Sequence, residues 1–281
     1  MTVLEAIQKC TEFLAKKGVE SPRLQTELLL AHLLKMPRMK LYLNFDRVLS
    51  VPETDGLREF VKRRGQREPL QHIVGSTSFC GYEIVVSRAA LIPRPETELL
   101  AELGWKFLLE RQHPIALDFG TGTGCIAIAL AAKCPSAKLV ALDVSTDALA
   151  LAKQNAVQNQ VAERIEFLQG DGFAALPTER QFDLLISNPP YIASAEIATL
   201  EPEVRDFDPR GALDGGSDGL DFYRRLAAAA KAFMKPDGKI MLEFGDGQAA
   251  ALEKIFAAEK WIVEAVQADY SQRARILIAR K

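Results

Sequence analysis

At 281 residues the chain is long for one domain, so one large or two unequal domains are expected. Its 48% hydrophobic and 26% charged residues are those of an ordinary globular protein, and no apolar run reaches the roughly 20 residues of a membrane-spanning helix. The net charge of −2 is uneven: residues 1–75 carry 13 Lys/Arg and 9 Asp/Glu (+4), and the remainder carries −6, too acidic for a broad phosphate-tracking surface.

The chain starts MTVLEAIQKC, which alternates polar and apolar residues and predicts no signal peptide. Residues 1–75 read as a small all-α domain. Leu4, Ile7, Phe13 and Leu14 fall near helical spacing, and SPRLQTELLLAHLLK opens with Ser21 as N-cap and Pro22 at the first helical position. A further helix fits 54–66, closed by Pro69. The stretch KRRGQR (62–67) is a solvated helix end or a basic face for nucleic acid or an acidic partner. His32 and His72 read as packed histidines. The four cysteines (Cys10, Cys80, Cys125, Cys134) form no C-x-x-C pair or Cys/His cluster, so free thiols and no metal are expected.

Residues 76–92 change character. Aromatic and β-branched residues flank Gly81 and predict a β-hairpin connector. IPRPETE follows, with acids in the first turn of a helix; Arg94 and Glu96 there either order the mouth of a ligand site or form a helix-start ion pair. From 93 to 281 strands and helices alternate: IALDFG, AKLVALD, RIEFLQG, FDLLISN and KIMLEFG as strands, with helices between most of them. That alternation predicts a doubly wound α/β sheet. WIVEAVQ and RARILIA are joined by a loop too short for a parallel crossover, so the last strand must run antiparallel, as a reversed edge strand. A seven-stranded, Rossmann-like sheet with this ending resembles that of class I S-adenosylmethionine (SAM) methyltransferases.

Gly120, Gly122 and Gly124, with Thr121 and Thr123 between them, lie after a strand and before a helix. Glycines there allow a tight turn and close approach of a ligand, and the helix N-terminus attracts a negative group. The spacing G-x-G-x-G, rather than G-x-G-x-x-G, counts against a pyrophosphate cofactor. Asp143 ends the second strand and is either a ribose-hydroxyl acceptor or a helix cap. Asp171, Gly172 and Phe173 follow the third; Asp171 is placed to meet an adenine amino group, and Phe173 either stacks beside the ring or packs in the core.

SNPPYI (187–192) closes the fourth strand of the sheet. Asn188 offers one acceptor, and Pro189 and Pro190 stiffen the chain so that a carbonyl points into the cavity. Two such acceptors grip both hydrogens of an NH₂ on a planar group, localise its lone pair and aim it at a methyl carbon, with Tyr191 walling the slot. Adenine, cytosine and glutamine all present such a group.

With PLQHIVG (69–75), LIPRPETE (91–98), DFGTGTG (118–124), SNPPYI, ALDGGSDGLDFYR (212–224) and LEFGDGQ (242–248), nearly the whole chain resembles the bacterial release factor glutamine methyltransferase family. The resemblance implies methyl transfer from SAM, giving S-adenosyl-L-homocysteine, to the glutamine side-chain nitrogen in the Gly-Gly-Gln tripeptide of class I peptide chain release factors. It implies that Gly120 to Gly124, Asp143 and Asn188 contact SAM, that Asn188 to Tyr191 hold the glutamine, and that the helical domain binds the release factor. A cytoplasmic monomer binding neither nucleic acid nor membrane is expected. Family members often carry Trp where this chain has Gly172, so that ring contact with adenine is missing unless Phe173 substitutes. The alternatives are glutamine methylation of a ribosomal protein and amino-methylation of adenine or cytosine in nucleic acid.

Overall fold

The computed structural model describes residues 1–281, which form two compact units: Met1–Ser76 with Glu201–Phe207, and Thr77–Leu200 with Asp208–Lys281. No helix is long and apolar enough to cross a membrane.

The first unit contains α1 (Val3–Lys16), α2 (Pro22–Leu33), α3 (Arg38–Leu41), α4 (Val51–Gly65) and α5 (Leu70–Val74). Its core is apolar, with Ile7, Leu14, Leu29, Leu30 and Leu57 at most 2% exposed. Phe13, expected inside, is 41% exposed. α1 and α4 begin with capping boxes, Thr2 with Glu5 and Ser50 with Glu53, each satisfying two orphan N–H groups. The second box starts α4 three residues before the sequence pattern suggested. Ser21 precedes α2 but takes a left-handed φ of 47° and makes no side-chain cap bond, so Pro22 alone starts that helix. His32 is exposed, its ring 5.8 Å from that of Phe60.

The basic stretch is spent inside this unit. Arg63 pairs with Glu68, Arg64 with Glu203 at 2.7 Å, and Arg67 with Glu201 and Glu203. Arg64 is only 4% exposed and also donates to Gln25 Oε1 and the Glu68 carbonyl. A buried guanidinium needs this set of acceptors to offset its lost hydration.

The second unit opens on the hairpin of β1 (Ser76–Phe79) and β2 (Tyr82–Val85). Then come α6 (Pro95–Leu109), β3 (Ile115–Phe119), α7 (Cys125–Lys133), β4 (Lys138–Asp143), α8 (Thr146–Gln158), β5 (Ile165–Gln169) and β6 (Phe182–Ser187). After α9 (Pro202–Arg205), which lies in the first unit, follow α10 (Asp221–Ala229), β7 (Met234–Glu243), α11 (Ala249–Ala258), β8 (Ile262–Ala268) and β9 (Ala274–Arg280). All four cysteines are free thiols.

The seven strands take the order β5-β4-β3-β6-β7-β9-β8, parallel except that β9 runs against both neighbours. The reversal of the last strand is as expected, but β9 is not the edge: it inserts between β7 and β8 and leaves β8 outside. Successive residues of the inner strands supply opposite faces. Leu184, Ile186 and Ile278 pack with α6 and α7, while Leu185, Leu242 and Leu277 pack with α10 and α11. Burial on both faces makes these strands largely apolar runs, interrupted by Asp118, Asp183 and Ser187. Their carboxyl ends bring Phe119, Asp143, Ser187 and Glu243 to one rim.

Candidate active site

The rim opens into a cavity of about 280 Å³ formed within the second unit. The turn after β3 makes one wall. Gly120 and Gly122 take φ of 75° and 55°, a region that penalises any side chain. The turn is pinned three ways. Gly120 and Thr121 N–H donate to the Leu142 carbonyl, and the Thr121 hydroxyl donates to Asp118 at 2.6 Å. Gly122 N–H donates to Asp143 Oδ2 at 2.8 Å. Asp143 Oδ1 accepts from Ser145 N–H at 2.9 Å, so two backbone groups hold its carboxylate flat on the cavity wall with lone pairs to spare. Ser145 caps α8, accepting from Ala148 N–H, so Asp143 itself is not the helix cap.

Asn188, Pro189 and Pro190 lie on the same cavity. Asn188 Nδ2 donates to Thr97 Oγ1 at 3.1 Å, which leaves its carbonyl oxygen as the unengaged end of the amide. The segment 213–219 backs this loop. Ile192 N–H donates to the Leu213 carbonyl, Gly215 N–H to the Ile192 carbonyl and Ser194 N–H to the Gly216 carbonyl. Gln248 completes the brace, donating through Nε2 to the Tyr191 carbonyl at 2.9 Å while Oε1 accepts from Gly245 N–H. Gly215 is needed here, since a Cβ on it would stand 2.8 Å from the Pro190 carbonyl oxygen.

Gly120, Thr121, Gly122, Thr123, Asp143, Asp171, Gly172 and Asn188 to Pro190 line the cavity, whereas three residues expected in the site stand off its wall. Gly124 has a packing duty: a Cβ there would meet Ala152 Cβ at 3.0 Å, so it permits α7 to approach α8. Phe173 turns toward the core, its ring stacked on Phe233 at 5.0 Å and tilted by 41° against Phe119 at 5.1 Å. The ring on the cavity is that of Phe119, which also lies 3.4 Å from where a Cβ on Gly172 would be. Tyr191 packs with the α10–α11 face of the core, its ring against Gly245, because its backbone is anchored to Gln248 rather than left to swing over the slot. Asp171 is tied to Arg225 at 2.7 Å on the exposed rim. Arg94 lines the cavity and pairs with the buried Asp208 at 2.6 Å, 114 positions along the chain, rather than with an acid of its own helix start; Glu96 does not line the cavity.

Two buried carboxyls were not singled out from the sequence. Asp118 is fully buried under the glycine turn, and its pKa is pushed up to about 7 by burial; the Thr121 hydroxyl and Ala127 N–H pull it back, and the Asp143 charge adds to the rise. Glu243, 1% exposed at the end of β7, is also raised to about 7, by burial first, with Thr97, Arg275 and Arg94 opposing the shift and the Glu96 charge adding to it. Its Oε2 has no hydrogen-bond partner. An acid closing the apolar strand KIMLEFG was the only available signal for it, and Thr97 was visible only as one residue of PRPETE.

Parallel β3 to β7, a reversed β9 inside β8, a glycine turn after β3 and an acid after β4 make up the class I methyltransferase arrangement, and the cavity lies at the carboxyl ends of the strands. The chain is 45% identical over 257 residues to the release factor glutamine methyltransferase of Geobacter sulfurreducens, covering 91% of this chain and 88% of that one. It is 40% identical to the enzyme of the same name from Chlorobaculum tepidum, covering 98% and 95%. The chain therefore belongs to the release factor glutamine methyltransferase family. Residues 5–75 match the PrmC N-terminal domain and residues 97–201 the methyltransferase small domain. Among solved structures, a methyltransferase from Pyrococcus furiosus aligns with a TM-score of 0.54 at 20% identity, over 73% of this chain and 91% of that one, a likeness of fold.

Proposed function

We propose that the chain transfers the methyl group of SAM to the side-chain amide nitrogen of the glutamine in the Gly-Gly-Gln tripeptide of class I release factors, with S-adenosyl-L-homocysteine as the second product. The observation that carries this reading is the presence of Asn188 and Pro189 on the same cavity as Asp143 and the glycine turn, in a chain of this family. When bound, SAM supplies an electrophilic methyl carbon on a cationic sulfur. The residues present suit it. Asp143 offers two oxygens to a ribose diol, the turn Gly120 to Thr123 lets a small carboxylate reach the backbone beside α7, and Phe119 offers an aromatic face at the position of Gly172.

Asn188 and the loop carbonyls act on the acceptor. An amide nitrogen is a weak nucleophile because its lone pair is spread into the carbonyl. Asn188 Oδ1 and one backbone carbonyl, each accepting one amide hydrogen, favour the form with the lone pair on nitrogen and fix its direction. The Tyr191 carbonyl is taken by Gln248, that of Ile192 by Gly215, and that of Pro190 lies against Gly215. The Pro189 carbonyl, on the cavity and taken by no backbone donor, is the second acceptor in this reading. Both prolines, the 213–219 segment and Gln248 fix these oxygens before the substrate arrives, so little reorganisation is required. The methylated nitrogen loses its extra proton readily to water, and no strong base is invoked.

The helical unit is the docking module in this reading, and the exposed side chains of Met39, Leu43, Val48 and Val51 suit contact with a protein partner. Such a substrate places the reaction in the cytoplasm. Incubation with methyl-labelled SAM and either purified release factor, a ribosomal protein or DNA tests the choice of acceptor. Label on the release factor is expected; label only on one of the other two replaces this reading.

A further inference from the structure

The acceptor loop leaves the sheet after Ser187, the last residue of β6. The ladder between β3 and β6 ends at the pair Asp118 and Ile186. One residue further on, the Ser187 hydroxyl donates to the Phe119 carbonyl at 2.5 Å, so a side chain continues the tie where the ladder stops. Ser187 is 0% exposed, and a buried hydroxyl is costly unless it is bonded. Phe119 leads directly into the glycine turn, so this one bond joins the two walls of the cavity.

The other end of the loop is held by Gln248, at the start of α11. Its Nε2 donates to the Tyr191 carbonyl at 2.9 Å and to the Gly219 carbonyl at 3.4 Å, while Oε1 accepts from Gly245 N–H at 2.9 Å. All three partners are backbone groups whose sense cannot reverse, so this amide has one orientation only. The backbone leaves room for it. A Cβ on Gly219 would stand 2.8 Å from Nε2 and run into the Tyr191 carbonyl, and one on Gly245 would stand 3.0 Å from Oε1. The charged side chains of these segments pair elsewhere, Asp246 with Arg273 at 4.0 Å, and Asp218 and Asp221 with Arg224.

We propose that Ser187 and Gln248 are positioning residues, two ties that fix the ends of the acceptor loop and so set the gap between the methyl carbon of SAM and the amide nitrogen. The inference rests on the acceptor role given above to Asn188 and Pro189. Between the ties lie only Asn188 to Tyr191, and the two prolines among them are stiff, so a loop held at both ends has little freedom in its middle. Held at one end only, its carbonyls swing about the remaining tie. The glycine turn keeps its own bonds to Leu142, Asp118 and Asp143 with or without the ties. Loss of a tie therefore displaces the acceptor loop and spares SAM binding.

The test uses the full chain with Ser187→Ala, Gln248→Met and Gln248→Glu. Ser187→Ala and Gln248→Met are each expected to lower kcat about tenfold, the loss that goes with a shift of about half an ångström, while the KM for release factor and the Kd for SAM change less than about threefold. Gln248→Glu supplies a readout that packing alone does not move. Ionised, it turns acceptors toward the Tyr191 and Gly219 carbonyls and repels them; protonated, its O–H restores the bond to Tyr191. Its kcat relative to wild type is expected to rise about threefold as the pH falls from about 8.5 to about 5.5, whereas the ratio for Gln248→Met stays constant. A further readout needs no methyl acceptor. The Ile192 and Gly215 N–H groups, bonded to the Leu213 and Ile192 carbonyls, are expected to exchange with solvent about tenfold faster in Gln248→Met. Wild-type kcat in Ser187→Ala or Gln248→Met, SAM binding lost in step with kcat, a Gln248→Glu ratio blind to pH, or unchanged exchange would overturn the two ties. Exchange that quickens as expected, in a protein whose wild type puts no label on release factor, would support the ties and fault the substrate assignment.

Discussion

Replacing Gly215 by Ala tests whether the backing of the loop matters to chemistry. The new Cβ would stand 2.8 Å from the Pro190 carbonyl oxygen and 2.9 Å from both Gly219 Cα and the Gly219 carbonyl oxygen. None of the three is a flexible side-chain end. Ordinary contact begins near 3.4 Å, so the loop and the 219 turn must part by roughly half an ångström. Overpacking of this kind costs about 1–3 kcal/mol of stability. A 1 Å misplacement of reacting groups costs about a hundredfold in rate, so half of that predicts a kcat lower by about tenfold. SAM binding depends on the turn after β3 and on Asp143, and its Kd is expected to stay within about threefold by calorimetry, an allowance of less than 1 kcal/mol. Gly81→Ala is the control: it places a side chain at φ 85° with no atom within 4 Å, a strain of about 1–3 kcal/mol, and should leave kcat unchanged. A wild-type kcat in Gly215→Ala, at equal stability loss in the two variants, would refute the claim that the 213–219 segment sets the position of the loop.

Three further outcomes are expected. Asp143→Ala removes two charged hydrogen-bond acceptors and should raise the Kd for SAM about a hundredfold, seen by calorimetry, while also freeing the Gly122 and Ser145 N–H groups. Arg64→Ala strands Glu203 with Arg67 alone and should lower the stability of the helical unit by about 2–3 kcal/mol, seen as an earlier transition in urea. Glu243 has its folded pKa raised from 4.5 to about 7, so the folded state binds the extra proton between those values and stability falls as pH rises through that window. Glu243→Gln lacks this loss, so its stability relative to wild type should improve by up to about 3 kcal/mol from pH 4.5 to pH 8; a difference independent of pH would contradict the raised pKa.

Much of the sheet was legible because a strand buried on both faces has to be largely apolar, as FDLLIS is: all six positions are buried and only Asp183 and Ser187 are polar. The reversal of the last strand was legible from loop length. Its insertion between β7 and β8 was not, because strand order has no local signature. The glycine turn, Asp143 and the NPP loop were read correctly as neighbours, since all follow from strand ends meeting at one rim. The directions of side chains were not legible. Phe173 and Tyr191 were assigned to the cavity by chain position, yet tertiary packing turns both inward and brings Phe119 to the wall instead. Residues that meet at long separation were missed for the same reason: Arg64 reaches Glu203 across 139 positions, and Thr97 reaches Asn188 across 91.

Mass spectrometry of the release factor after incubation with SAM tests the central claim most directly. A single added methyl group on the glutamine of the Gly-Gly-Gln tripeptide is expected with the wild-type chain and not with Asn188→Ala, although that variant still binds SAM. Methylation that survives the loss of Asn188, or that appears at another residue, would contradict the account.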